Sequence, residues 1–353
     1  LFYSPYSISL ALAMTYGGAR GETEEQMANA LRFSLPQNQL HPAFNALVLE
    51  LDSRGEGAEG KDDEGFRLNI VNAIWGQRDY EFLNDFLDLL AVNYGAGLRV
   101  LDFIGATEES RVTINDWVSD QTEGRIEDLI PAGLISPLTR LVLTNAIYFN
   151  AAWEYPFEED MTEDGVFYRL DGGEVTVPMM RQTESFGYAE GDGYQAVELP
   201  YDGGELSMVI LLPVSGRFET FEETLDAAQV DGIIGSLENR QVSLTMPKFE
   251  FDSSFSLRDT LSAMGMPVAF SMSADFSGMT VNPELFIAEV VHKAFVSVDE
   301  AGTEAAAATA VVMELTAMPD TVEVSIDRPF IFLIRDIETG AILFVGRTLD
   351  PGA

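Results

Sequence analysis

Residues 300–313 constrain the fold of this chain most, because their composition and their surroundings favour different structures. Their sequence, Glu-Ala-Gly-Thr-Glu-Ala-Ala-Ala-Ala-Thr-Ala-Val-Val-Met, is rich in Ala and by propensity alone predicts a surface helix. The runs at residues 285–298 and 329–334, on either side, are typical of strands. Neither Pro nor Gly occurs between Thr303 and Met318, so the segment is also compatible with a strand.

As a strand, this segment would have two different faces. Glu304 and Glu314 are ten residues apart and share one face, because alternate residues of a strand point to the same side. The opposite face would carry small residues first and apolar ones later: Thr303, Ala305, Ala307, Thr309, Val311, Met313 and Leu315. The pattern therefore predicts a segment that is an exposed loop in one state and a central sheet strand in another.

Short motifs follow one another along nearly the whole chain. Besides residues 300–310, they include residues 2–9 (Phe-Tyr-Ser-Pro-Tyr-Ser-Ile-Ser), 17–27, 114–118, 122–126, 143–149, 199–201, 206–208, 246–249, 261–266, 274–278 and 292–295. In this order the motifs resemble those of the serpins, a family of serine protease inhibitors, and residues 300–310 resemble the hinge of the inhibitory members, prokaryotic ones included. A single motif would be weak, but so many in family order are very specific.

The resemblance implies an α+β fold of the serpin type. We expect a single domain over residues 1–353 with three β-sheets and about eight or nine helices. Residues 300–326 would form the exposed reactive-centre loop and its return segment. Because the chain begins inside a family motif, the family's first helix is expected to be missing.

The resemblance also implies a suicide-substrate inhibitor of serine proteases. The protease would attack a bait bond, and the cleaved loop would then enter the main sheet as a strand and trap the acyl-enzyme. The hinge, from which Thr303 would enter the sheet first, would consist of Glu300, Gly302, Thr303, Glu304, Ala305, Ala306, Ala307 and Ala308. Apart from Glu304, those beyond Gly302 are small and uncharged, which suits burial in a sheet.

Counting from Glu300 by the family's spacing places the bait bond at Thr316–Ala317, to within a residue or two. The protease would also contact Met313, Glu314, Leu315 and Met318. The small residue at the bond predicts an elastase-like or subtilisin-like target.

Two alternatives stay open at this point. A non-inhibitory serpin, acting as a carrier or chaperone, would only be nicked in its loop; such members commonly have bulky, charged or Pro residues in the hinge, and this chain does not. A plain binding protein with an Ala-rich helix would resist cutting.

Other positions match family residues around the main sheet. Lys248 would pair with Glu300 where the sheet opens, near Trp153 at its top. A polar cluster beneath the sheet, able to satisfy its own hydrogen bonds, would consist of Ser4, Ser7, Asn145 and His292.

The sequence does not indicate an enzyme. Of the two histidines, His41 precedes Pro42 in a polar stretch and is expected at the surface, whereas His292 lies in an apolar run. No Gly-X-Ser-X-Gly elbow, His-Glu-X-X-His motif or Walker loop occurs. We therefore expect neither catalytic residues nor a metal or other cofactor.

The net charge of −38 limits the classes of partner. Nucleic acid is not expected, because no basic patch is available to meet phosphates. The same reason argues against heparin, and anionic membranes should repel so acidic a chain. We expect an extracellular monomer whose partner is a serine protease.

Overall fold

The structure, a computed structural model, describes residues 1–55, 67–95, 97–281, 284–303 and 320–352. These ranges contain eight α-helices: α1 Pro5–Tyr16, α2 Gly21–Ala30, α3 Gln37–Asp52, α4 Asn84–Tyr94, α5 Thr107–Gln121, α6 Phe218–Thr224, α7 Ala227–Gly235 and α8 Arg258–Ala263. Two 3-10 helices span Glu159–Met161 and Pro267–Phe270.

The same ranges contain fifteen strands, so the fold is α+β as expected. They are β1 Phe2–Tyr3, β2 Arg67–Gln77, β3 Leu98–Leu101, β4 Leu141–Ala152, β5 Glu163–Tyr168, β6 Glu174–Gly191, β7 Tyr194–Pro200, β8 Leu206–Pro213, β9 Glu238–Pro247, β10 Phe249–Ser256, β11 Glu289–Val298, β12 Gly302–Thr303, β13 Val322–Ser325, β14 Phe330–Asp336 and β15 Ile342–Thr348.

The main sheet has six strands in the order β10-β11-β12-β4-β2-β3. Strand β4 lies near its centre, and all twelve of its residues are buried. Its near-continuous run of apolar and small residues suits a strand that is covered on both faces. This position makes β4 one wall of the seam described below.

A second sheet runs in the order β1-β15-β14-β8-β7-β6-β9-β13, with β5 added on β6. The 18 residues of β6 pair in turn with β5 over 174–179, with β9 over 179–188 and with β7 over 187–191. Because the long strand β6 pairs with strands on both of its sides, the described strands form two hydrogen-bonded sheets and not three separate ones.

Opposite faces of the main sheet have different covers. On one face, α5 packs Ile114 and Val118, one helical turn apart, against Val142 of β4 and Val291 of β11. On the other face lies the largest core, shared with the second sheet and rich in aromatic rings, of which Phe2 and Phe344 stack with centroids 5.0 Å apart. None of the described helices has the length and apolar character to span a bilayer.

Candidate functional site

The seam between β11 and β4 is closed in its lower part and occupied in its upper part. The two strands pair in parallel from Glu289 opposite Val142 to Ala294 opposite Ile147. Further up they separate, and β12 lies between them, antiparallel to both. The start of the predicted hinge is therefore already a short central strand of the main sheet.

Glu300 is fixed just before this short strand. Its Oε2 lies 2.5 Å from Nζ of Lys248, and its Oε1 accepts a 2.7 Å hydrogen bond from the Thr162 hydroxyl. Burial alone would raise the pKa of Glu300, but these two partners outweigh burial and leave that pKa lowered. The structure thus brings Lys248 and Glu300 together at the point where the seam opens.

Asp299 shapes the turn that leads into β12. Its Oδ1 accepts hydrogen bonds from the backbone N–H groups of Ala301, at 2.8 Å, and Gly302, at 3.3 Å. Burial raises the pKa of the Asp299 carboxyl, and these hydrogen bonds offset only part of the effect. The indole N–H of Trp153 donates to the Asp299 carbonyl at 3.0 Å, so Trp153 holds the same turn.

A buried polar cluster crosses the closed part of the seam, where His292 pairs with Asn145. The Asn145 amide contacts His292 Nδ1, the Asn72 amide oxygen and the Ser7 hydroxyl, the last at 2.5 Å. Burial lowers the pKa of His292 to about 3. The ring is therefore neutral at neutral pH and can act as a hydrogen-bonding link between the two strands.

The position of Ser4 differs from the expected one. Its hydroxyl accepts a 3.0 Å hydrogen bond from the Ser7 N–H and caps α1, as Ser commonly does before a helix that starts with Pro. Only the backbone N–H of Ser4 reaches the cluster, donating to His292 Nε2 at 3.2 Å. Asn72 takes the place that the sequence assigned to the Ser4 side chain.

The expectation that His41 is a surface residue is wrong. The residue is 2% exposed, and its Nδ1 lies 2.6 Å from the Tyr94 hydroxyl across the α3–α4 contact. Burial, with a smaller contribution from Arg20, lowers the pKa of His41 to about 4. Within the described ranges, no three His, Asp or Glu side chains converge as metal ligands would.

An aromatic clamp holds α5 on the main sheet beside the seam. The rings of Trp117 on α5 and Trp75 on β2 meet edge to face at 5.3 Å, and the Arg99 guanidinium lies 4.4 Å from the Trp117 centroid. The Trp75 indole N–H donates to the Thr144 hydroxyl of β4 at 2.9 Å. These contacts fix α5 to β2, to β3 and, through Trp75, to β4, all on one side of the seam.

The described residues include only the start of the predicted loop. Glu300, Gly302 and Thr303 are placed as given above. The remaining predicted residues lie outside the described ranges: Glu304, Ala305, Ala306, Ala307, Ala308, Met313, Glu314, Leu315, Thr316, Ala317 and Met318.

Sequence reasoning missed Tyr201, which bonds to the hinge. Its hydroxyl lies 2.9 Å from the Thr303 hydroxyl, and its ring stacks on Trp153 with centroids 4.6 Å apart. The Leu-Pro-Tyr motif at residues 199–201 marked the position but not its contact. That contact joins residues 102 apart in the chain, which no local pattern reveals.

Comparison with known proteins identifies this architecture. A family model described as "Serpin (serine protease inhibitor)" matches residues 1–351. The chain belongs to the serpin family. The activity named in this family description is inhibition of serine proteases.

Two groups of relatives support this assignment. A serpin-like protein of Thermococcus kodakarensis is 44% identical over 354 residues, covering 99% of this chain and 80% of that protein. Leukocyte elastase inhibitors from Bos taurus and Homo sapiens are 39% and 37% identical, each covering 99% of this chain and 93% of theirs. These relatives support protease inhibition in general, with serine proteases as the target class.

Solved structures share the fold. Thyroxine-binding globulin in complex with thyroxine superposes with a TM-score of 0.87 at 29% identity, covering all of this chain and 93% of that one. Uncleaved ovalbumin gives a TM-score of 0.87 at 27% identity, covering 99% and 93%. Because a thyroxine-binding protein is among them, the fold alone does not decide how this serpin acts.

Proposed function

We propose that this serpin is a suicide-substrate inhibitor of elastase-like or subtilisin-like serine proteases. The protease attacks a bait bond at Thr316–Ala317 and forms an acyl-enzyme, the ordinary intermediate of such enzymes. The freed loop then enters the seam between β11 and β4 as a full strand and carries the bound protease along the sheet.

One observation supports this proposal: the start of the hinge, Gly302 and Thr303, already lies in the seam. Thr303 is opposite Val298 of β11 and Ala151 of β4, so a strand that continues from it would meet a partner on each side. The 11 residues from Glu304 to Glu314 would extend it by about 36 Å at roughly 3.3 Å per residue. That distance is comparable to the size of a small protein domain, so the protease would be moved far from its first position.

The driving force would be backbone pairing. A central strand forms hydrogen bonds with two neighbours, each worth about 1 kcal/mol net, and an exposed loop would gain them on insertion. Such pairing requires residues that have a backbone N–H donor and that enter the sheet without a large desolvation cost. Residues 303–308 contain no Pro, which would lack the donor, and are mainly Ala, which is small and uncharged. The uncut fold would accordingly be held by a kinetic barrier.

The direct test is to mix the protein with a panel of elastase-like and subtilisin-like proteases. We expect a complex that survives boiling in detergent, because the acyl bond is covalent. Mass spectrometry should place the new N-terminus at Ala317. A cut three or more residues away would refute the bond assignment and leave the mechanism intact.

The main competitor is a serpin that carries a ligand and does not inhibit, for which the thyroxine-binding neighbour is a precedent. A carrier would be nicked without retaining the protease. Cleaved chain together with fully active enzyme across the whole panel would therefore reject the inhibitory proposal.

A further inference from the structure

The first residue of the inserting strand is bonded inside the sheet before any cleavage. Thr303 is fully buried, and its two cross-strand neighbours, Ala151 and Val298, both belong to the core beneath the sheet. Because directly opposed residues share a face, the Thr303 side chain points into that core. There its hydroxyl meets the hydroxyl of Tyr201 at 2.9 Å.

Tyr201 is held rigidly by its own surroundings. Its ring stacks on Trp153, with an interplanar angle of 11°, and meets Phe149 edge to face at 5.1 Å. Its backbone bridges that of Trp153, so the hydroxyl occupies a fixed place below the open end of the seam. A fully buried hydroxyl without a partner is costly, and Thr303 supplies that partner.

Gly302 permits this arrangement by allowing a close approach to β4. A Cβ atom at this position would lie 2.2 Å from the Ala151 carbonyl oxygen and 2.7 Å from the Ala152 Cα atom. The backbone φ of +156° also favours Gly. Glycine thus brings the hinge against β4, and the next residue can reach Tyr201.

We propose that Tyr201 is a positioning residue that seats Thr303 in the main sheet before the protease arrives. The inference rests on the proposed function and adds a determinant of its efficiency. Seating the first residue in advance means that its ordering and desolvation are complete when the bond is cut. Insertion then continues from an existing strand end and competes better with hydrolysis of the acyl-enzyme.

The contact between Tyr201 and Thr303, called the seat below, also has a cost for capture of the protease. Two residues held in the sheet shorten the part of the loop that can reach a protease by about 7 Å at roughly 3.3 Å per residue. Releasing the seat should therefore leave the rate of first association unchanged or faster, while making the later trapping step less efficient. A general loss of stability has no reason to impair trapping while sparing association.

The test compares Tyr201→Phe, Thr303→Val and the double variant with the parent protein. Each single change removes one hydroxyl and keeps the shape of the side chain. Tyr188→Phe is the matched control, because its hydroxyl bonds Glu190 and Gln195, away from the hinge. Association rate and inhibition stoichiometry are measured with an elastase-like protease, and hydrogen exchange of residues 298–303 is measured on the protein alone.

A stoichiometry of one inhibitor per protease means that no inhibitor is lost as substrate. We expect Tyr201→Phe to raise the part of the stoichiometry above one about fivefold, because one neutral hydrogen bond is worth about 1 kcal/mol, which corresponds to that factor. Thr303→Val should do the same, and the double variant should add little, because both changes remove one interaction. Exchange protection at Gly302 and Thr303 should fall in these variants and stay unchanged in Tyr188→Phe.

Unchanged protection and unchanged stoichiometry in Tyr201→Phe would overturn the inference. So would an effect equal to that of Tyr188→Phe, since the change would then reflect loss of a buried hydroxyl in general. If the parent forms no covalent complex, the proposed function fails, and with it the role of the seat in inhibition. Hydrogen exchange still decides whether Tyr201 seats the hinge.

Discussion

At the scale of single residues, the side-chain parity of the hinge decides which substitutions matter. Thr303 points into the core, and by strand alternation Glu304 should face solvent once it is inserted. Arg at position 303 would place a guanidinium without a partner in the core, at a cost of several kcal/mol. Thr303→Arg should therefore lose its place in the seam and enter it slowly after cleavage.

We expect Thr303→Arg to be cleaved at the parent's bond and at no less than the parent's rate, yet to yield little covalent complex. The proposed bait bond lies 13 residues away in the sequence and is unchanged. Glu304→Arg is the matched control and should remain inhibitory. Gel analysis of complex against cleaved chain gives the answer, and equal inhibition by both variants would show that the parity is wrong.

The two buried histidines make stability depend on pH. Burial lowers the pKa of His292 to about 3 and that of His41 to about 4. In the unfolded chain both histidines have a pKa near the ordinary value of 6.5. Below that value the unfolded state holds more protons, so stability falls as pH falls. Each histidine contributes about 1.4 kcal/mol per pH unit in this window.

We expect the melting temperature at a fixed scan rate to fall between about pH 7 and 5.5, above the range in which most carboxylates titrate. His292→Gln and His41→Gln should each remove about half of this dependence. Only His292→Gln should also change the inhibition stoichiometry, because His292 bonds across the seam whereas His41 lies between α3 and α4. A parent whose melting is flat over this range would contradict the assignment.

At the scale of secondary-structure elements, α5 restrains the seam. Its Ile114 and Val118 pack on both seam strands, and Trp117 is clamped by Trp75 and Arg99. The proposed insertion would require the strands beneath α5 to separate, so we expect the clamp that holds α5 in place to add to the barrier that keeps the uncut fold in place. Loosening it should lower stability and ease insertion together.

Trp117→Ala should therefore lower the stability of the uncut protein, by about 2 kcal/mol for a partly buried aromatic ring. It should also bring the inhibition stoichiometry closer to one, because less work is needed to part the strands. Trp117→Phe keeps most of the packing and should resemble the parent. A destabilised Trp117→Ala variant with the parent's stoichiometry would show that α5 does not restrain insertion.

Sequence patterns predict the elements of this fold better than the contacts between them. The apolar run of β4 indicates a buried strand, and the motifs around Lys248 and Glu300 lead to a pair that the structure places in contact. The occupied seam could not be predicted, because Ala-rich residues 300–313 favour a helix by propensity. Pairing with β4, about 150 residues earlier in the chain, and with β11 makes Gly302 and Thr303 a strand.

Histidine placement failed for a similar reason. His41 stands in a polar stretch before Pro42, a local pattern typical of a surface. Its burial depends on α4, which covers it more than 40 residues later in the sequence. Local composition therefore gives no signal for burial by a distant element.

At the scale of the whole molecule, the change in stability on cutting the loop distinguishes a metastable fold from an ordinary one. Among the described residues, the seam is closed below by the pairing of β11 with β4 and occupied above by Gly302 and Thr303. A cut near Ala317 would free the segment from Glu304 onward to fill the seam, and each added backbone hydrogen bond contributes about 1 kcal/mol net.

The nicked protein should consequently melt well above the intact one. The net charge of −38 and the described core are common to both forms, and the cut adds only one pair of termini, so the difference reports strand insertion. An ordinary protein loses stability when a loop is cut, because the cut increases the conformational entropy of the unfolded chain. Calorimetry of intact and nicked samples at one scan rate makes the comparison, with nicked Thr303→Arg as the control that should gain less. Equal or lower melting of the nicked parent would show that the uncut fold is not metastable, and the trapping mechanism would lose its source of energy.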